Sequence, residues 1–368
     1  MKRRFFSFMT SIVMVLSMIS ANAANVFAAN YSYTVTNGQA PKAITLAKGY
    51  YEMSLKYEGD AAGTAVLVKG KSAKKAKAAA KKVKYGATLP SNVLNNTFTR
   101  NATVQKTFNL SKKTYSSLVL RTQDNATGKV TVSYKVYPYG GTLSNGAYFE
   151  GTGLGSASNV AYYKIKVTTT GYLTIDLQND SSTNYAITLK NKSKKKALTG
   201  SYFSLAAGKA ANCIPVKKGT YYLAVKCAAK TYKVRYQFTK ATYAGGSKKS
   251  KATTLKEDTP KISYVLATGG TRWYKFKNPT KRALQAVVQV TGFGGTNAGL
   301  TFTFYGGSKK LGSITRKADN NTNVIGINLF YSTSEKEVST AQKGTYYVKV
   351  TRTKGGCGQY VLMFREKK

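Results

Sequence analysis

Apolar and polar residues alternate with a period of two along many short stretches of this chain. Clear examples are the segments 130–136, 232–238 and 360–364, in which an aromatic or aliphatic residue occupies every second position. Such alternation places apolar side chains on one face of a β-strand and polar side chains on the other. Tyrosine, valine, threonine and glycine recur in short runs, which favours strands and turns over helices. The pattern therefore predicts an all-β protein.

One strand-like segment recurs along the chain. The sequence Lys-Gly-Thr-Tyr-Tyr-Val-Lys-Val at 343–350 has a near copy at 218–225 and a fainter copy at 113–120. In the faintest copy Ser116 and Ser117 follow a single tyrosine, which shifts the alternation and predicts a β-bulge. The spacing of the copies suits β-sandwich domains of about 100 residues. We therefore predict three tandem antiparallel β-sandwich modules of jelly-roll or immunoglobulin-like type. They span residues 29–139, 140–240 and 241–368.

The first 28 residues have the pattern of a secretory signal peptide. Three basic residues precede an apolar run at 5–19, and small residues at 21–23 and 26–28 offer two cleavage sites. The apolar run is short and is broken by serine and threonine, which disfavours the alternative of an uncleaved membrane anchor. We expect a secreted, extracellular protein without stable membrane insertion, which can associate with an anionic cell wall by charge.

The charge of the chain is strongly one-sided. Lysine and arginine number 58 against 13 aspartate and glutamate residues, so the formal net charge is +45. An excess of this size attracts polyanions. Lysine far outnumbers arginine, and it acts as a point charge without the planar fork that reads bases. The charge therefore predicts attraction to anionic polymers, with any binding of nucleic acid non-specific.

Histidine is absent from the sequence. Its absence excludes Ser-His-Asp and Cys-His catalysis in this chain, as well as histidine-liganded metal sites. The three cysteines, Cys213, Cys227 and Cys357, are too few for a four-cysteine zinc site. Cys213 and Cys227 flank one Tyr-Tyr strand and are candidates for a disulfide, with buried free thiols as the alternative. We predict neither a metal site nor a cofactor.

Acidic residues are scattered through the sequence. A glycosidase needs two opposed carboxylates, and the distant pair of Glu52 and Asp176 is one combination. Both residues lie in predicted strands that carry no other catalytic signal, and no serine stands out as a nucleophile. We therefore expect a protein that is not an enzyme.

Lysine is concentrated in three segments, one in each module. Each segment lies between the middle strands of its module and the recurring tyrosine strand. If the modules share one fold, the segments form basic loops at equivalent corners and can track an anionic polymer together. In the first segment, alanines at 79 and 80 also allow a short helix. The alternative is a solvated surface that only keeps the protein soluble. The candidate residues are Lys71, Lys74, Lys75, Lys77, Lys81 and Lys82 in the first module, Lys192, Lys194, Lys195 and Lys196 in the second, and Lys309 and Lys310 in the third.

Most tyrosines occupy the apolar positions of alternating strands and are predicted to pack in the core. Tyr162, Tyr222 and Tyr347 lie on the opposite face and are candidates for stacking against sugar rings or bases. Stacking is less sensitive to salt than attraction by lysine is, so a salt titration separates the two modes of binding.

At its recurring strands the chain resembles the bacterial pre-peptidase C-terminal domain, a small β-sandwich commonly appended to secreted peptidases. The resemblance rests on the aromatic strand at 273–276, the Gly-Thr-Tyr strand at 344–350 and the last aromatic strand at 360–364. The third module fits this pattern best, the second fairly well and the first weakly. Family members usually carry acidic residues before the aromatic strand. Here 270–272 are Gly-Thr-Arg, so no calcium site is expected.

These features predict a secreted, highly cationic, non-enzymatic binding protein of the cell surface. Its expected partner is an anionic polymer, such as a cell-wall or extracellular polysaccharide, or nucleic acid. One alternative is a carbohydrate- or collagen-binding accessory protein that uses exposed tyrosines, similar to the role of related domains in secreted peptidases. Another alternative is a structural protein of the envelope or matrix.

Overall fold

The fold is taken from a computed structural model of the chain. The structure describes residues 29–86, 92–156, 158–179, 185–201, 213–295, 298–318, 325–329, 332–333, 336–337 and 341–367. The predicted signal peptide, residues 1–28, lies outside these ranges. Within them the protein is almost entirely antiparallel β-structure with one short α-helix, which confirms the all-β sandwich class. No helix within these ranges has the length and apolarity that a membrane span needs.

The first pair of sheets contains eight strands and the helix. The elements are β1 Ala29–Thr36, β2 Lys42–Leu46, β3 Gly49–Gly59, β4 Gly63–Gly70, α1 Ala73–Lys81, β5 Asn92–Phe98, β6 Ala102–Leu110, β7 Thr114–Thr122 and β8 Gly128–Pro138. One sheet has the strand order β1-β8-β3-β6, and the other has the order β2-β7-β4-β5. The helix α1 packs on the outside of the second sheet, against β4 and β7.

The second pair of sheets also contains eight described strands. They are β9 Gly141–Thr142, β10 Phe149–Gly151, β11 Ala161–Val167, β12 Gly171–Asn179, β13 Tyr185–Lys190, β14 Ile214–Val216, β15 Gly219–Cys227 and β16 Tyr232–Lys240. Their orders are β10-β16-β12-β14 and β13-β15-β11-β9.

The third pair of sheets and a small separate hairpin complete the described chain. The strands are β17 Thr253–Thr254, β18 Lys261–Val265, β19 Arg272–Asn278, β20 Leu284–Phe293, β21 Gly299–Gly306, β22 Lys309–Lys317, β23 Ile325–Asn328, β24 Ser332–Thr333, β25 Lys336–Glu337, β26 Gly344–Arg352 and β27 Gly358–Glu366. The sheets have the orders β18-β27-β20-β23 and β17-β19-β26-β21-β22, and β24 pairs with β25.

The three pairs of sheets share one strand order. In one sheet of each pair the order β1-β8-β3-β6 corresponds to β10-β16-β12-β14 and to β18-β27-β20-β23. In the other sheet the order β2-β7-β4 corresponds to β11-β15-β13 and to β19-β26-β21. The recurring tyrosine segments therefore lie in the equivalent strands β7, β15 and β26. In each pair, β1, β10 or β18 runs antiparallel beside the last strand, β8, β16 or β27. The division into three independent domains stays a prediction.

Each pair of sheets encloses an apolar core. The alternation seen in the sequence explains which side chains fill it. In β11, Tyr163, Ile165 and Val167 are buried, whereas Lys164 and Lys166 are exposed. Burying an aromatic or aliphatic side chain of this size contributes about 1.5–3 kcal/mol. The period-two pattern thus decides which face of each strand turns inward.

The predicted bulge in the faintest tyrosine segment is wrong. Strand β7 pairs with β2 and with β4 without a shift in register. Leu120 packs in the core, and Ser116, on the same side of the strand, donates its hydroxyl to a backbone carbonyl of β2. Tyr115 therefore lies on the outer face of the sheet. The first pairs of these strands are Thr114 with Leu46 in β7 and Gly219 with Val167 in β15, so Tyr115 lies at the position of Thr220, two residues before that of Tyr222. No extra residue is needed.

The second and third pairs of sheets meet in a close junction. Arg352 of β26 donates to the backbone carbonyl oxygens of Leu198 (3.1 Å) and Ala267. Ala267 and Cys357 both pack with the core of the second pair, although they lie among the strands of the third. The junction is therefore built from shared apolar packing as well as from hydrogen bonds.

Candidate functional site

The first lysine segment forms the helix α1 rather than a loop, as its alanines allow. Ser72 caps the N-terminus, where its hydroxyl accepts a hydrogen bond from the backbone N–H of Lys75 (3.3 Å). Ala76 and Ala80 are buried against β4 and β7. The small apolar side of α1 thus faces the sheet, and the lysines occupy the remaining sides.

The lysines on and beside α1 are not neutralised. Lys71, Lys74, Lys75, Lys77, Lys81 and Lys82 are all exposed. None of the six belongs to an ion pair among the described residues. Lys74 and Lys75 lie in the first turn, where the helix dipole disfavours positive charge and where no acidic residue offsets it. An external anion would therefore stabilise this helix.

The second lysine segment is a tight turn after β13. The side-chain oxygen of Asn191 accepts hydrogen bonds from the Lys196 backbone N–H (3.1 Å) and the Ser193 hydroxyl (3.0 Å). The backbone N–H of Lys194 donates to the Asn191 carbonyl oxygen (2.9 Å). Lys194 has φ of +63°, a conformation disfavoured for residues with a Cβ atom. The exposed lysines of this turn are Lys192, Lys194, Lys195 and Lys196.

The third lysine segment begins a strand. Lys309 and Lys310 are the first residues of β22, and both side chains are exposed. Gly307, with φ of +60°, makes the turn between β21 and β22. The prediction of a loop is wrong here because a glycine at positive φ permits a tight hairpin, so the chain rejoins the sheet at once.

The three lysine segments follow equivalent strands. They begin after β4, β13 and β21, each of which lies beside the tyrosine strand of its sheet. Within each pair of sheets they therefore leave the sheet at the same corner, although one is a helix, one a turn and one a strand.

The candidate stacking residues lie on the outer sheet faces, but lysine side chains cover their rings. Tyr162, Tyr222 and Tyr347 are half-buried. The Lys194 ammonium nitrogen lies 5.2 Å from the ring centroid of Tyr162 and 4.4 Å from that of Tyr222. The Lys249 ammonium nitrogen lies 4.7 Å from the ring centroid of Tyr347. These are cation–π distances, so a stacking ligand would have to displace a lysine.

Sequence reasoning missed several members of these faces. Trp273 and Tyr305 lie beside each other with ring centroids 5.5 Å apart, and Lys249 is 5.3 Å from the ring centroid of Tyr305. In the first pair of sheets, the Lys113 ammonium nitrogen lies 5.1 Å from the ring centroid of Tyr115. Both rings of the third pair occupy outward positions in alternating strands, and this signal was present in the sequence. Which lysine covers which ring depends on the fold.

The candidate Cys213–Cys227 disulfide is not formed in the structure, and all three cysteines are buried free thiols, which was the alternative. Cys213 packs beside Tyr172 and Tyr264 at the junction of the second and third pairs. Cys227 instead packs in the core of the second pair. The two flank β15 in sequence, but Cys213 precedes β14, which belongs to the opposite sheet. Burial raises the pKa of Cys357 to about 12 and keeps that group a thiol.

The carboxylates singled out from the sequence do not face each other. Glu52 and Asp176 lie on the equivalent strands β3 and β12 of different sheet pairs. Glu52 accepts a hydrogen bond from the Tyr137 hydroxyl (3.2 Å), whereas Asp176 accepts one from Tyr148 and pairs with Arg235 (3.1 Å). Across the described ranges, no group of three or more Cys, Asp or Glu side chains is placed to hold a metal ion.

Comparison with known proteins finds only distant likeness. No family model matches the chain, and no curated protein matches it. Among solved structures, the pre-peptidase C-terminal domain of a collagenase from Bacillus anthracis is 15% identical, covers 34% of this chain and 99% of its own, and gives a TM-score of 0.23. The PBSX exported protein XepA is 10% identical, with coverage of 59% and 84% and a TM-score of 0.18. PNGF-II is 9% identical, with coverage of 95% and 63% and a TM-score of 0.17. Values this low carry no argument about activity or partners.

Proposed function

We propose that this chain is a secreted, non-enzymatic binding protein that engages anionic polymers of the cell wall or extracellular space. We also propose that its three pairs of sheets are divergent modules of the pre-peptidase C-terminal type, arranged in tandem. The shared strand order supports the repeat, and the N-terminal sequence supports secretion.

The observation that carries this proposal is the uncompensated charge of α1. Six exposed lysines surround a nine-residue helix, and none has a carboxylate partner in the described structure. Like charges so close repel one another, and the first-turn lysines also oppose the helix dipole. A polyanion removes both penalties when it binds. A surface that served only solubility would not need lysines in the first turn of a helix, where the dipole opposes them.

The test is a salt titration of the mature protein against immobilised anionic and neutral polymers. In the test variant the six lysines of the α1 segment are replaced by glutamine. A matched control carries glutamine at six exposed strand and loop lysines, Lys166, Lys226, Lys233, Lys256, Lys277 and Lys281. Both variants lose the same net charge.

We expect the α1 variant to lose affinity for the polyanion and to show a shallower dependence of affinity on salt than the control. Equal loss in both variants would contradict the proposal, because it would mean that total charge rather than its placement governs binding. Absence of saturable binding to any polyanion at physiological salt would also contradict it.

The second candidate function is a carbohydrate- or collagen-binding accessory role through exposed aromatic rings. The cluster of Trp273, Tyr305 and Tyr347 on the outer face of the third pair favours it. Binding of a neutral glycan that survives high salt and is lost on Tyr347→Ala would support this role instead. The lysines that lie over the rings argue against it as the first choice.

A further inference from the structure

The same local arrangement recurs on the tyrosine strand of all three pairs of sheets. An outward tyrosine holds a lysine ammonium group over its ring in each case. The distances from ammonium nitrogen to ring centroid are 5.1 Å for Lys113 and Tyr115, 4.4 Å for Lys194 and Tyr222, and 4.7 Å for Lys249 and Tyr347. The three tyrosines lie on the equivalent strands β7, β15 and β26.

The three lysines come from different places in the chain. Lys113 immediately precedes β7, Lys194 lies in the turn after β13, and Lys249 lies in a 3₁₀ turn before β17. Repetition of the fold alone would place the covering lysine at one equivalent position. The covered rings lie at equivalent positions for Tyr222 and Tyr347 and two residues earlier in the strand for Tyr115, so repetition of the fold alone does not account for a lysine over a ring in each pair.

The backbone of Lys194 gives independent support. Its φ of +63° is a conformation that glycine or asparagine adopts more easily. A lysine at such a position carries strain, and strain is typically retained where it serves a function. Here it brings the ammonium group over Tyr222 and also over Tyr162.

Lys249, the third lysine, makes further contacts besides the one with the Tyr347 ring. The Lys249 ammonium group donates a hydrogen bond to the Gly307 carbonyl oxygen (2.6 Å) and lies over both Tyr305 and Tyr347. None of Lys113, Lys194 and Lys249 belongs to an ion pair among the described residues. Each of these ammonium groups thus lies against a ring and is still available to an anion.

Fixing a lysine before binding favours affinity. A free lysine side chain loses rotamer entropy when an anion immobilises it, whereas a lysine held over a ring has already lost part of it. The tyrosines are therefore positioning residues, and the lysines make the contact with the ligand.

The geometry also restricts the chemical class of the ligand. Lysine is a common phosphate ligand that acts as a point charge, whereas the planar fork of arginine suits bidentate recognition of carboxylates and phosphates alike. All three cations are lysines, and their own ammonium groups cover the rings on which bases would stack. This arrangement fits a phosphodiester polymer without bases better than a nucleic acid.

We propose that each tyrosine-held lysine, Lys113, Lys194 and Lys249, is a preorganised contact for a base-free polyphosphodiester. This proposal rests on the function proposed above and assigns it a ligand class. It also changes the role of Tyr222 and Tyr347 from stacking contacts to supports for lysine.

The experiment measures the affinity of the full mature chain for poly(glycerol phosphate), polygalacturonate and oligo(dT) across a range of salt concentrations. The test variants are Tyr222→Leu and Tyr347→Leu, singly and combined with Tyr115→Leu. The matched variants Tyr222→Phe and Tyr347→Phe keep the ring. We expect each leucine variant to lose about 2- to 10-fold in affinity for poly(glycerol phosphate). Because no charge is removed, the slope of affinity against salt should stay unchanged, and the phenylalanine variants should bind like the parent chain.

A second variant tests the strained lysine. Lys194→Asn suits the positive φ and should leave thermal stability unchanged or slightly raised, while it weakens binding and lowers the salt slope. Lys192→Asn removes the same charge from the same turn without removing a ring-held cation. It should weaken binding less than Lys194→Asn.

The possible outcomes distinguish failure of this proposal from failure of the proposed function. If the parent chain binds polyanions but the three leucine substitutions together change nothing, the positioning role is overturned and the cationic function stands. If oligo(dT) binds best and loses most on Tyr→Leu, the rings stack on bases and the ligand class is wrong. If the parent chain binds none of the three polymers, the proposed function itself fails.

Discussion

At the scale of single residues, two buried tyrosine pairs show how polar groups are accommodated in the cores. The hydroxyls of Tyr163 and Tyr232 lie 2.8 Å apart, and those of Tyr274 and Tyr360 lie 2.7 Å apart. The pairs join equivalent strands, β11 with β16 and β19 with β27. Burial raises the pKa of Tyr232 and Tyr360 well above the ordinary value for tyrosine, so both remain neutral donors and acceptors. Each hydroxyl therefore has a hydrogen-bond partner within the core.

Removing one hydroxyl of such a pair should leave the other without its tyrosine partner, so the costs of removing the two should not add. We expect Tyr274→Phe to lower the free energy of unfolding by about 1–3 kcal/mol, because it leaves the Tyr360 hydroxyl without its tyrosine partner in the core. Chemical denaturation of the single variants and of the Tyr274→Phe/Tyr360→Phe double variant measures this. The double variant should lose less than the sum of the single losses. Tyr347→Phe, on the half-buried outer face, is the control, and a single variant as stable as this control would contradict the expectation.

At the scale of elements, α1 depends on a close approach to β4. A Cβ atom added to Gly70 would lie 2.3 Å from the backbone nitrogen of Ala76 and 2.6 Å from its Cα atom. Only glycine therefore allows the helix to sit against the sheet and to bury Ala76 and Ala80. The absence of a side chain at this one position brings the lysine-rich helix to its place.

The substitution Gly70→Ala should displace α1 from the sheet. We expect a loss of about 1–3 kcal/mol in unfolding free energy, since the clash is with backbone that cannot rotate away. Thermal unfolding followed by circular dichroism measures the loss. Gly312→Ala is the matched control, because Gly312 lies in β22 with open space around its added Cβ atom. Equal stability of the two variants would show that α1 can move away from the sheet without a loss of unfolding free energy.

Much of the strand pattern could be predicted from the sequence, whereas the pairing of functional side chains could not. Alternation placed Ile165 inside and Lys164 outside because a period of two depends only on neighbouring residues. The lysine at 194 and the tyrosine at 222 come together only through the pairing of β13 with β15. The wrongly predicted bulge has the same cause. Whether Tyr115 faces inward depends on the register with β2 and β4, which local pattern does not contain.

At the scale of the whole molecule, the junction of the second and third pairs couples their stability. Ala267 and Cys357 complete the second core from within the strands of the third pair, and Arg352 binds backbone carbonyls on both sides. A change in one core therefore reaches the other through shared packing.

Substitution of Arg352 by methionine should weaken this coupling. We expect the second and third pairs to unfold in one calorimetric transition in the parent chain and in two in Arg352→Met. The cost should be about 1.5–3 kcal/mol, as for hydrogen bonds made by a charged group. Differential scanning calorimetry tests this, with Arg100→Met as a control at an exposed site in the first pair. An unchanged single transition in Arg352→Met would place the coupling in the apolar contacts alone.

The neighbouring positions of first and last strands have a mechanical consequence. Because β1 runs antiparallel beside β8, the chain enters and leaves this sheet at the same end, with Ala29 opposite Val136. The same arrangement joins β18 to β27. Tension applied along such a chain pulls the two strands apart like a zipper, so their hydrogen bonds break one after another rather than all at once. If the protein is anchored at one end and pulled by flow at the other, these edge strands would separate at low force. The chain would then extend, which would limit the force on its attachment.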